Sequence, residues 1–255
     1  MKEILENIGL SMAAYSEGYI ALAEDAITHG RELKISFDGK KAYFIYEIDD
    51  RISCWGLYFK DEVLGLLAHF DTADRLSAQV ESFFAFDSCP ARGAVKIKFL
   101  NRGNPELDLC IYAEIINFML AQKNEKNFGE KIIAATLNGF ISSGTLKTYK
   151  DEVEYYRSCQ GGPALDENAI VVLKSVNRDE TSNEELARAH LCATLKELKV
   201  IVNPYSRERF FNLTVSCRGF KIDLFTAYNE CSRKLLSKAA MGNIIEGDVY
   251  FAAKL

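Results

Sequence analysis

The segment from His69 to Arg75 carries the densest set of reactive side chains in this sequence. An imidazole (His69), two carboxylates (Asp71 and Asp74) and a guanidinium (Arg75) lie within seven residues. A histidine oriented by a neighbouring carboxylate is a common general base, and the same groups can contribute ligands to a divalent metal site. We therefore take His69, Asp71 and Asp74 as the candidate catalytic residues. The alternative interpretation is a helix end, in which Asp71 caps the next helix and Asp74 and Arg75 are solvated.

Four arginines and the single tryptophan are candidates for binding a ligand. Arg75 and Arg218 are placed to hold the anionic group of a small molecule. Arg207 and Arg209 lie in a segment rich in aromatic residues, and aromatic and arginine side chains on a sheet are typical of single-stranded nucleic acid binding. Trp55 lies in a second aromatic group, on predicted strands. The alternative interpretation is that these aromatic residues simply form the core of a sheet.

The remaining histidines and the cysteines give little sign of chemistry. His29 is typical of a helix C-terminus, and His190, on a predicted helix, is interpreted as a structural or surface residue. The seven cysteines are widely spaced and include no Cys-x-x-Cys pair. This pattern indicates reduced thiols that pack as small hydrophobic side chains. Cys217, beside Arg218, is interpreted in the same way.

Composition and missing motifs exclude several classes of protein. The chain of 255 residues has 48% hydrophobic and 26% charged residues with 4 prolines, which is typical of a globular protein. Its formal net charge of -5 disfavours a nucleic-acid-binding role. There is no phosphate-binding glycine loop, dinucleotide fingerprint, nucleophile elbow or zinc-protease motif. The sequence also has no apolar run long enough to cross a membrane and no signal-peptide core, so we expect a cytoplasmic protein without a membrane partner.

Hydrophobic periodicity predicts an α+β order for residues 1–122. Helices are predicted over 2–29, a hairpin follows with its turn at Asp38-Gly39, and a third strand covers 54–59. A helix is predicted over 61–76, strands over 80–86 and 93–99, and a core helix over 107–121. The core helix is predicted because Asn104, Pro105 and Glu106 form a helix start and because the run that follows is almost wholly apolar.

This order of elements resembles the effector chaperones of type III secretion, which are small, acidic, cytosolic binding proteins. The resemblance is one of element order and acidity, and no residue motif carries it. It implies a protein that binds another protein and catalyses no reaction.

The second half predicts a different, more regular order. Residues 123–163 read as a helical connector that ends at the breaker cluster Gln160 to Pro163. A strand is predicted over 170–176, a helix over 181–198 with a Ser182/Glu185 capping box, a hairpin over 211–224, a helix over 228–240 and a strand over 244–254. This is the ferredoxin-like order. Residues 97–120 and 213–236 match only when two gaps are allowed, so the sequence predicts no internal repeat.

These observations predict an α+β fold of two modules, each an antiparallel sheet with helices packed on one face, the second ferredoxin-like. The modules are 1–122 and 164–255, joined by 123–163. The leading hypothesis is a cytosolic, non-enzymatic binding or adaptor protein with a protein partner, with a homo-dimer as one arrangement. The alternative is an enzyme that acts on a small anionic molecule or nucleotide in the cleft between the modules, with His69, Asp71 and Asp74 as base or metal ligands. We expect no resident metal and no cofactor.

Overall fold

The computed structural model describes residues 2–35, 41–59, 62–72, 74–128, 131–159, 169–172 and 183–255. The α-helices in these ranges are α1 (Lys2–Glu6), α2 (Ser16–His29), α3 (Phe118–Lys123), α4 (Glu125–Phe128), α5 (Glu152–Ser158) and α6 (Glu230–Leu236). The strands are β1 (Arg31–Lys34), β2 (Lys41–Glu47), β3 (Ile52–Phe59), β4 (Glu62–Phe70), β5 (Leu76–Ala85), β6 (Gly93–Phe99), β7 (Leu109–Ile115), β8 (Ile133–Ile141), β9 (Lys147–Tyr149), β10 (Ala169–Val172), β11 (Arg188–Val202), β12 (Arg209–Cys217), β13 (Phe220–Ala227) and β14 (Ile244–Lys254). Short 3₁₀ turns cover Ser11–Ala14, Pro105–Leu107 and Asn183–Glu185.

The first four strands form a sheet of their own. β1 to β4 are neighbours in chain order, and each pairs antiparallel with the next. α2 packs on β2 and β3, where Tyr58 donates a hydrogen bond to the Ala23 carbonyl over 2.5 Å. β3 is buried along almost its whole length because α2 covers one face and the rest of the protein covers the other.

The other ten strands form one mixed sheet that closes on itself twice. β5, β6 and β7 form an antiparallel meander whose outer members pair with β8 and with β14. β11, β12 and β13 form a second meander whose outer members pair with β14 and with β8. Because β8 and β14 also pair with each other, the strands make two five-membered circuits that share this pair. We call them the first circuit and the second circuit.

The two circuits follow the same plan. In each, the meander's first strand pairs antiparallel with the shared strand that follows it in the chain, and its last strand pairs parallel with the other shared strand. Each meander also has a register shift at the same place, between Val80 and Ser82 in the first and between Leu195 and Glu197 in the second. Residues can therefore be matched between the circuits through their pairing partners, and the prediction of no internal repeat is wrong at the level of topology.

Two hydrophobic cores result from this arrangement. One fills the circuits with the inward residues of their strands, among them Ile97, Ile111, Val215 and Ile222. The second lies between the four-stranded sheet with its helices and the outer face of the shared strands, where Phe70, Phe140 and Phe225 meet. The alternation of inward and outward residues along each strand assigns its side chains to one core or the other.

The predicted fold class is wrong. The structure is dominated by strands, most of which lie in a large mixed sheet, and the C-terminal half is not ferredoxin-like. Strands of residues 1–122 and 164–255 also lie in the same sheet, since β7 pairs with β14. The physical reason is that both edges of the first meander have hydrogen-bonding partners far away in the sequence, β5 in β8 and β7 in β14, which local periodicity does not reveal.

Three predicted helices are strands in the structure. The helix predicted over 61–76 is mostly β4, and the helix over 181–198 is mostly the first part of β11. The core helix predicted over 107–121 contains β7, and only its last residues, from Phe118, are α-helical, in α3. Asn104 does cap Pro105–Leu107, but this 3₁₀ turn ends before β7. The element order on which the resemblance to type III secretion chaperones rests is therefore not that of the chain, because β4 and β7 replace two of its helices.

Several other local predictions are confirmed. β1 and β2 form the first hairpin, β12 and β13 form the hairpin that turns at Arg218 and Gly219, and α6 and β14 lie within the predicted bounds. The predicted turn at Asp38 and Gly39, the breaker cluster 160–163 and the capping residue Ser182 lie outside the described residues.

Candidate functional site

His69 is fully buried near the end of β4, and both of its ring nitrogens are hydrogen-bonded. Asn138 on β8 donates from Nδ2 to the Phe70 carbonyl at 2.9 Å, and the same nitrogen lies 3.3 Å from His69 Nδ1. Because a carbonyl only accepts, the amide nitrogen must face Phe70, and Nδ1 then accepts its second hydrogen. His69 therefore carries its proton on Nε2, which donates to Asp71 Oδ1 at 3.1 Å.

Burial and charge act on His69 and Asp71 in opposite ways. Burial lowers the pKa of His69, and its bond to Asp71 offsets this only in part, so the ring is neutral at physiological pH. The hydrogen bond from His69, together with Lys254 at 3.5 Å from Asp71 Oδ1, lowers the pKa of Asp71 to about 2. His69 thus holds a permanently ionised carboxylate in place at the end of β4.

Asp71 lies at the mouth of a polar cavity of about 250 Å³ on the outer face of the second circuit, which we call the Asp223 cavity. The end of the four-stranded sheet forms one wall and β11, β12 and β13 form the other. Its charged lining residues are Arg51, Asp71, Asp74, Glu197, Lys199, Lys221 and Asp223, and its neutral polar lining residues are Thr72, Asn212 and Thr214. The structure therefore brings Asp71 and Asp74 into one cavity with three cations from distant parts of the chain.

Asp223 is a carboxyl group of this cavity whose pKa is raised. Burial raises its pKa above the ordinary value for aspartate, although Thr214 donates a hydrogen bond to it at 2.7 Å. The nearby Asp74 carboxylate adds to this increase. Asp71 and Asp223 thus face the same cavity with pKa values shifted in opposite directions. Such perturbed groups in a cleft are characteristic of functional sites.

A second cavity of about 180 Å³, which we call the Trp55 cavity, adjoins the first. Arg51 and Asp71 line both cavities and form their common wall. Trp55 is almost buried, and the Lys254 ammonium lies 5.4 Å from the centre of its ring. The predicted ligand-binding residue Trp55 therefore does line a cavity next to Asp71.

None of the four predicted arginines lines either cavity. Arg75 is exposed beside the Asp223 cavity without lining it. Arg218 donates a hydrogen bond to the Glu106 carbonyl at 2.8 Å, and its backbone has a positive φ of 50°, which suits the turn between β12 and β13. Arg209 lies over the ring of Tyr228, and Arg207 is an exposed turn residue with φ of 64°. The structure does not bring these four arginines together.

Four polar or charged positions of the Asp223 cavity match uncharged residues in the first circuit, although Thr214 matches Lys96, which pairs with Glu81. Pairing partners match Asp223 to Tyr112, Asn212 to Ala94 and Lys221 to Cys110. Lys199 matches Phe84, whose ring lies 5.7 Å from that of Tyr112. The strand framework therefore tolerates aromatic and small residues at these positions. It does not require the polar set found in the second circuit.

Sequence reasoning missed Arg51, Lys199, Lys221, Asp223 and Lys254. The alternation of Lys221 and Asp223 with Phe220, Ile222 and Leu224 was visible, but it is also typical of a solvated strand face. These residues lie near Asp71 only because the strands of the second circuit pair with one another and the end of β4 lies against their outer face.

His190 lies on the outer face of β11, between two carboxylates. Its Nδ1 is 2.6 Å from Asp248 Oδ1, and its Nε2 is 3.0 Å from Glu246 Oε1. Burial alone would raise the pKa of Glu246, but hydrogen bonds from Tyr149 and His190 hold it below its ordinary value. The two carboxylates contact opposite sides of the ring, so they do not converge on one point with it. The predicted structural role of His190 agrees with these contacts.

Arg92, Glu114 and Tyr250 form a third polar cluster, under the four-stranded sheet. Arg92 donates twice to Glu114 Oε1, at 2.6 and 2.8 Å, and Tyr250 donates to Oε2 at 2.6 Å. Glu114 is fully buried, and only 12% of the Arg92 side chain is exposed. Every group of the cluster has a partner, so its contacts are those of a structural ion pair.

Comparisons with known proteins add no assignment. No protein family, no curated protein and no solved structure matches this chain. Within the described ranges, no group of three or more His, Cys, Asp or Glu residues is arranged to hold a metal ion. None of the helices in the described part of the chain has the length and hydrophobicity needed to cross a bilayer. The candidate site rests on its own geometry.

Proposed function

We propose that this chain is a non-enzymatic binding protein whose ligand is a small polar molecule with an anionic group, held in the Asp223 cavity. The observation that carries the proposal is the difference between the two circuits. The positions of Lys199, Asn212 and Asp223 hold Phe84, Ala94 and Tyr112 in the first circuit, while Thr214 matches Lys96, so the strand framework does not require the two charged residues Lys199 and Asp223. Among the charged lining residues, Asp71 and Asp223 are half-buried. A half-buried charge costs stability, and such a cost is commonly tolerated where function needs it.

The contacts of His69 favour binding over catalysis. A general base needs a nitrogen free to take a proton from the substrate. His69 Nδ1 accepts from Asn138, Nε2 donates to Asp71, and the ring is fully buried. We assign His69 the role of positioning Asp71, whose carboxylate faces both cavities.

The size and charge of the cavity favour a small ligand over a nucleotide. Pockets for drug-sized ligands measure about 300 to 1,000 Å³, and the Asp223 cavity measures about 250 Å³. Its four carboxylates would repel a polyphosphate, whereas Lys221 and Arg51 attract a single anionic group.

Recognition of a protein partner remains a prediction from the sequence. The open edge of the four-stranded sheet, β1, is short and carries Arg31, Glu32 and Lys34. Charged residues on a short edge strand commonly prevent that strand from pairing with a strand of another chain. This edge therefore does not favour a partner that binds by strand addition.

A ligand screen with matched variants tests the proposal. We would titrate the protein with amino acids, dicarboxylates, sugar phosphates and diamines, follow the fluorescence of Trp55, and measure Kd by calorimetry. At least one compound should bind the wild type, and Lys221→Met should raise its Kd about 10- to 100-fold because a charged hydrogen bond is lost. Lys238→Met, which removes an exposed lysine elsewhere, should leave Kd unchanged.

Two results would overturn the proposal. The first is a failure of every compound to bind, or binding that Lys221→Met leaves unchanged. The second is turnover of a bound compound that depends on Asp71, which would restore the enzyme hypothesis. A protein that co-purifies equally with the wild type and Lys221→Met, in the absence of any small-molecule binding, would favour the adaptor hypothesis.

A further inference from the structure

We infer that the ligand of the Asp223 cavity is a small zwitterion, with an ammonium and a carboxylate on neighbouring carbon atoms, as in a free α-amino acid. The inference rests on the proposed function and names the class of ligand for the same site. It assigns the ligand's carboxylate to Lys221 and its ammonium to Asp223.

The charges that remain after internal pairing lead to this assignment. Lys199 and Glu197 neutralise each other at 2.8 Å on the rim of the cavity. Asp71 is occupied by His69 and Lys254, and Arg51 lies 3.8 Å from Asp50. Lys221 has no salt bridge within the described part of the chain, and Asp223 has a neutral partner, Thr214. Asp74, which also lines the cavity, has no salt bridge within the described ranges either, so one cation, Lys221, and two carboxylates, Asp74 and Asp223, remain for the ligand.

The spacing of these two groups suits a zwitterion with adjacent charges. Lys221 and Asp223 are two residues apart on β13, so both point to its outer face. Their Cα atoms are about 6.6 Å apart, because a strand rises about 3.3 Å per residue. An α-amino acid carries its ammonium and carboxylate on neighbouring carbon atoms, so it can present one charged group to each of these two side chains.

Ligands of a single charge sign fit this arrangement less well. A dicarboxylate would place its second carboxylate among Asp71, Asp74 and Asp223, and a diamine would place its second ammonium near Lys221 and Arg51. Like charges in a partly desolvated site repel strongly. A zwitterion places its carboxylate at Lys221 and its ammonium at Asp223, so each of these two charges has a partner of opposite sign.

Calorimetry with a matched series tests the inference. Alanine carries both charges, propionate carries only the carboxylate, and ethylamine carries only the ammonium. Alanine should bind the wild type at least about tenfold more tightly than either of the other two, because each charged hydrogen bond contributes a factor of this order. Asp223→Asn and Lys221→Met should each weaken alanine binding about 10- to 100-fold, and Lys238→Met should not.

The outcomes separate the inference from the proposed function. If sugar phosphates or dicarboxylates bind in a manner that depends on Lys221 while alanine does not bind, the inference of a zwitterionic ligand is wrong and the proposed binding function is retained. If alanine, propionate and ethylamine bind equally, the zwitterion is also wrong. If nothing in either series binds, both proposals fail. Circular dichroism and thermal unfolding of each variant would show that lost binding does not come from lost folding.

Discussion

Asp223 and Tyr112 occupy matching positions on the last strands of the two meanders, although one is a half-buried carboxyl group and the other an aromatic residue. Each lies opposite the matching residue of the preceding strand, Thr214 for Asp223 and Lys96 for Tyr112. Two copies of one strand plan thus present different chemistry to solvent at the same place. The strand arrangement therefore does not determine the side chain at this position, and the carboxyl group of Asp223 is specific to the cavity.

We predict that Asp223→Asn stabilises the free protein at neutral pH while it weakens ligand binding. The folded-state pKa of Asp223 is raised by burial, so its stabilising contribution is complete below the unfolded value and is lost as pH rises through the folded pKa. At pH 7 the ionised, partly buried carboxylate is therefore a net cost. Asparagine keeps the acceptor for Thr214 and removes the charge, which should add about 0.5–1 kcal/mol to the free energy of unfolding.

Urea denaturation at two pH values checks this prediction. The advantage of Asp223→Asn should be present at pH 7 and should shrink as pH falls through the raised pKa of the wild-type carboxyl group. Equal stability of the two proteins at pH 7, or a more stable wild type, would contradict the assigned cost of burial. Tyr112→Phe, at the matching position of the first circuit, is the control and should show no pH-dependent difference.

We predict that His69 makes the stability of the protein fall in mild acid. Its folded-state pKa is lowered by burial, so its contribution is present above the unfolded value, near 6.5, and is lost as pH falls through the folded pKa. His69→Gln should cost about 1–3 kcal/mol at pH 7.5, because it disturbs the partners Asn138 and Asp71. The difference in the free energy of unfolding between the wild type and His69→Gln should be smaller at pH 5 than at pH 7.5. The exposed His29 provides the control, and His29→Gln should cost much less stability than His69→Gln at pH 7.5 in denaturation curves.

The sequence revealed hairpins well because their signals are local. Phe211, Leu213 and Val215 alternate with polar residues, and Arg218 with Gly219 supplies the turn, so β12 and β13 could be predicted. β4 and β7 could not be predicted in the same way. The last six residues of β4 are all buried, and such a strand has no alternation. On β7 the outward residues include Cys110 and Tyr112, which read as apolar and imitate one face of a buried helix.

The candidate site was predictable only in part for the same reason. His69, Asp71 and Asp74 are close in sequence, and the structure keeps Asp71 and Asp74 in one cavity. Lys221 and Asp223 reach that cavity through the parallel pairing of β13 with β8, in which Asp223 lies opposite Asn138. A contact of this kind depends on closure of the whole circuit. The gapped alignment of residues 97–120 with 213–236 places Leu109 opposite Leu224. The pairing of the strands matches Leu109 with Phe220 instead, so the alignment has the wrong register.

We predict that Gly139→Ala destabilises the protein because Gly139 lies where the two circuits meet. It pairs with Leu224 on one side and Phe251 on the other, and an added Cβ would lie 2.5 Å from Leu224 Cδ2 and 2.7 Å from Val249 Cγ1. Overpacking of this kind costs about 1–3 kcal/mol. Gly247 on β14 is the control, since its added Cβ would meet no atom closer than 3.5 Å. Thermal unfolding should show a lower Tm for Gly139→Ala and an equal or higher Tm for Gly247→Ala, and the reverse order would contradict closure through β8.

We predict that the buried pair of Arg92 and Glu114 shows strong energetic coupling. Glu114→Ala leaves a nearly buried guanidinium without its carboxylate and Tyr250 without its acceptor, so it should cost about 3–5 kcal/mol. Arg92→Met combined with Glu114→Leu should cost much less, because an apolar pair fills the space without an unpaired charge. The exposed pair of Lys96 and Glu81 is the control, with an expected coupling below about 1 kcal/mol. Double-mutant cycles from urea denaturation measure both couplings, and equal values for the two pairs would contradict a role for this buried cluster in joining β6, β7 and β14.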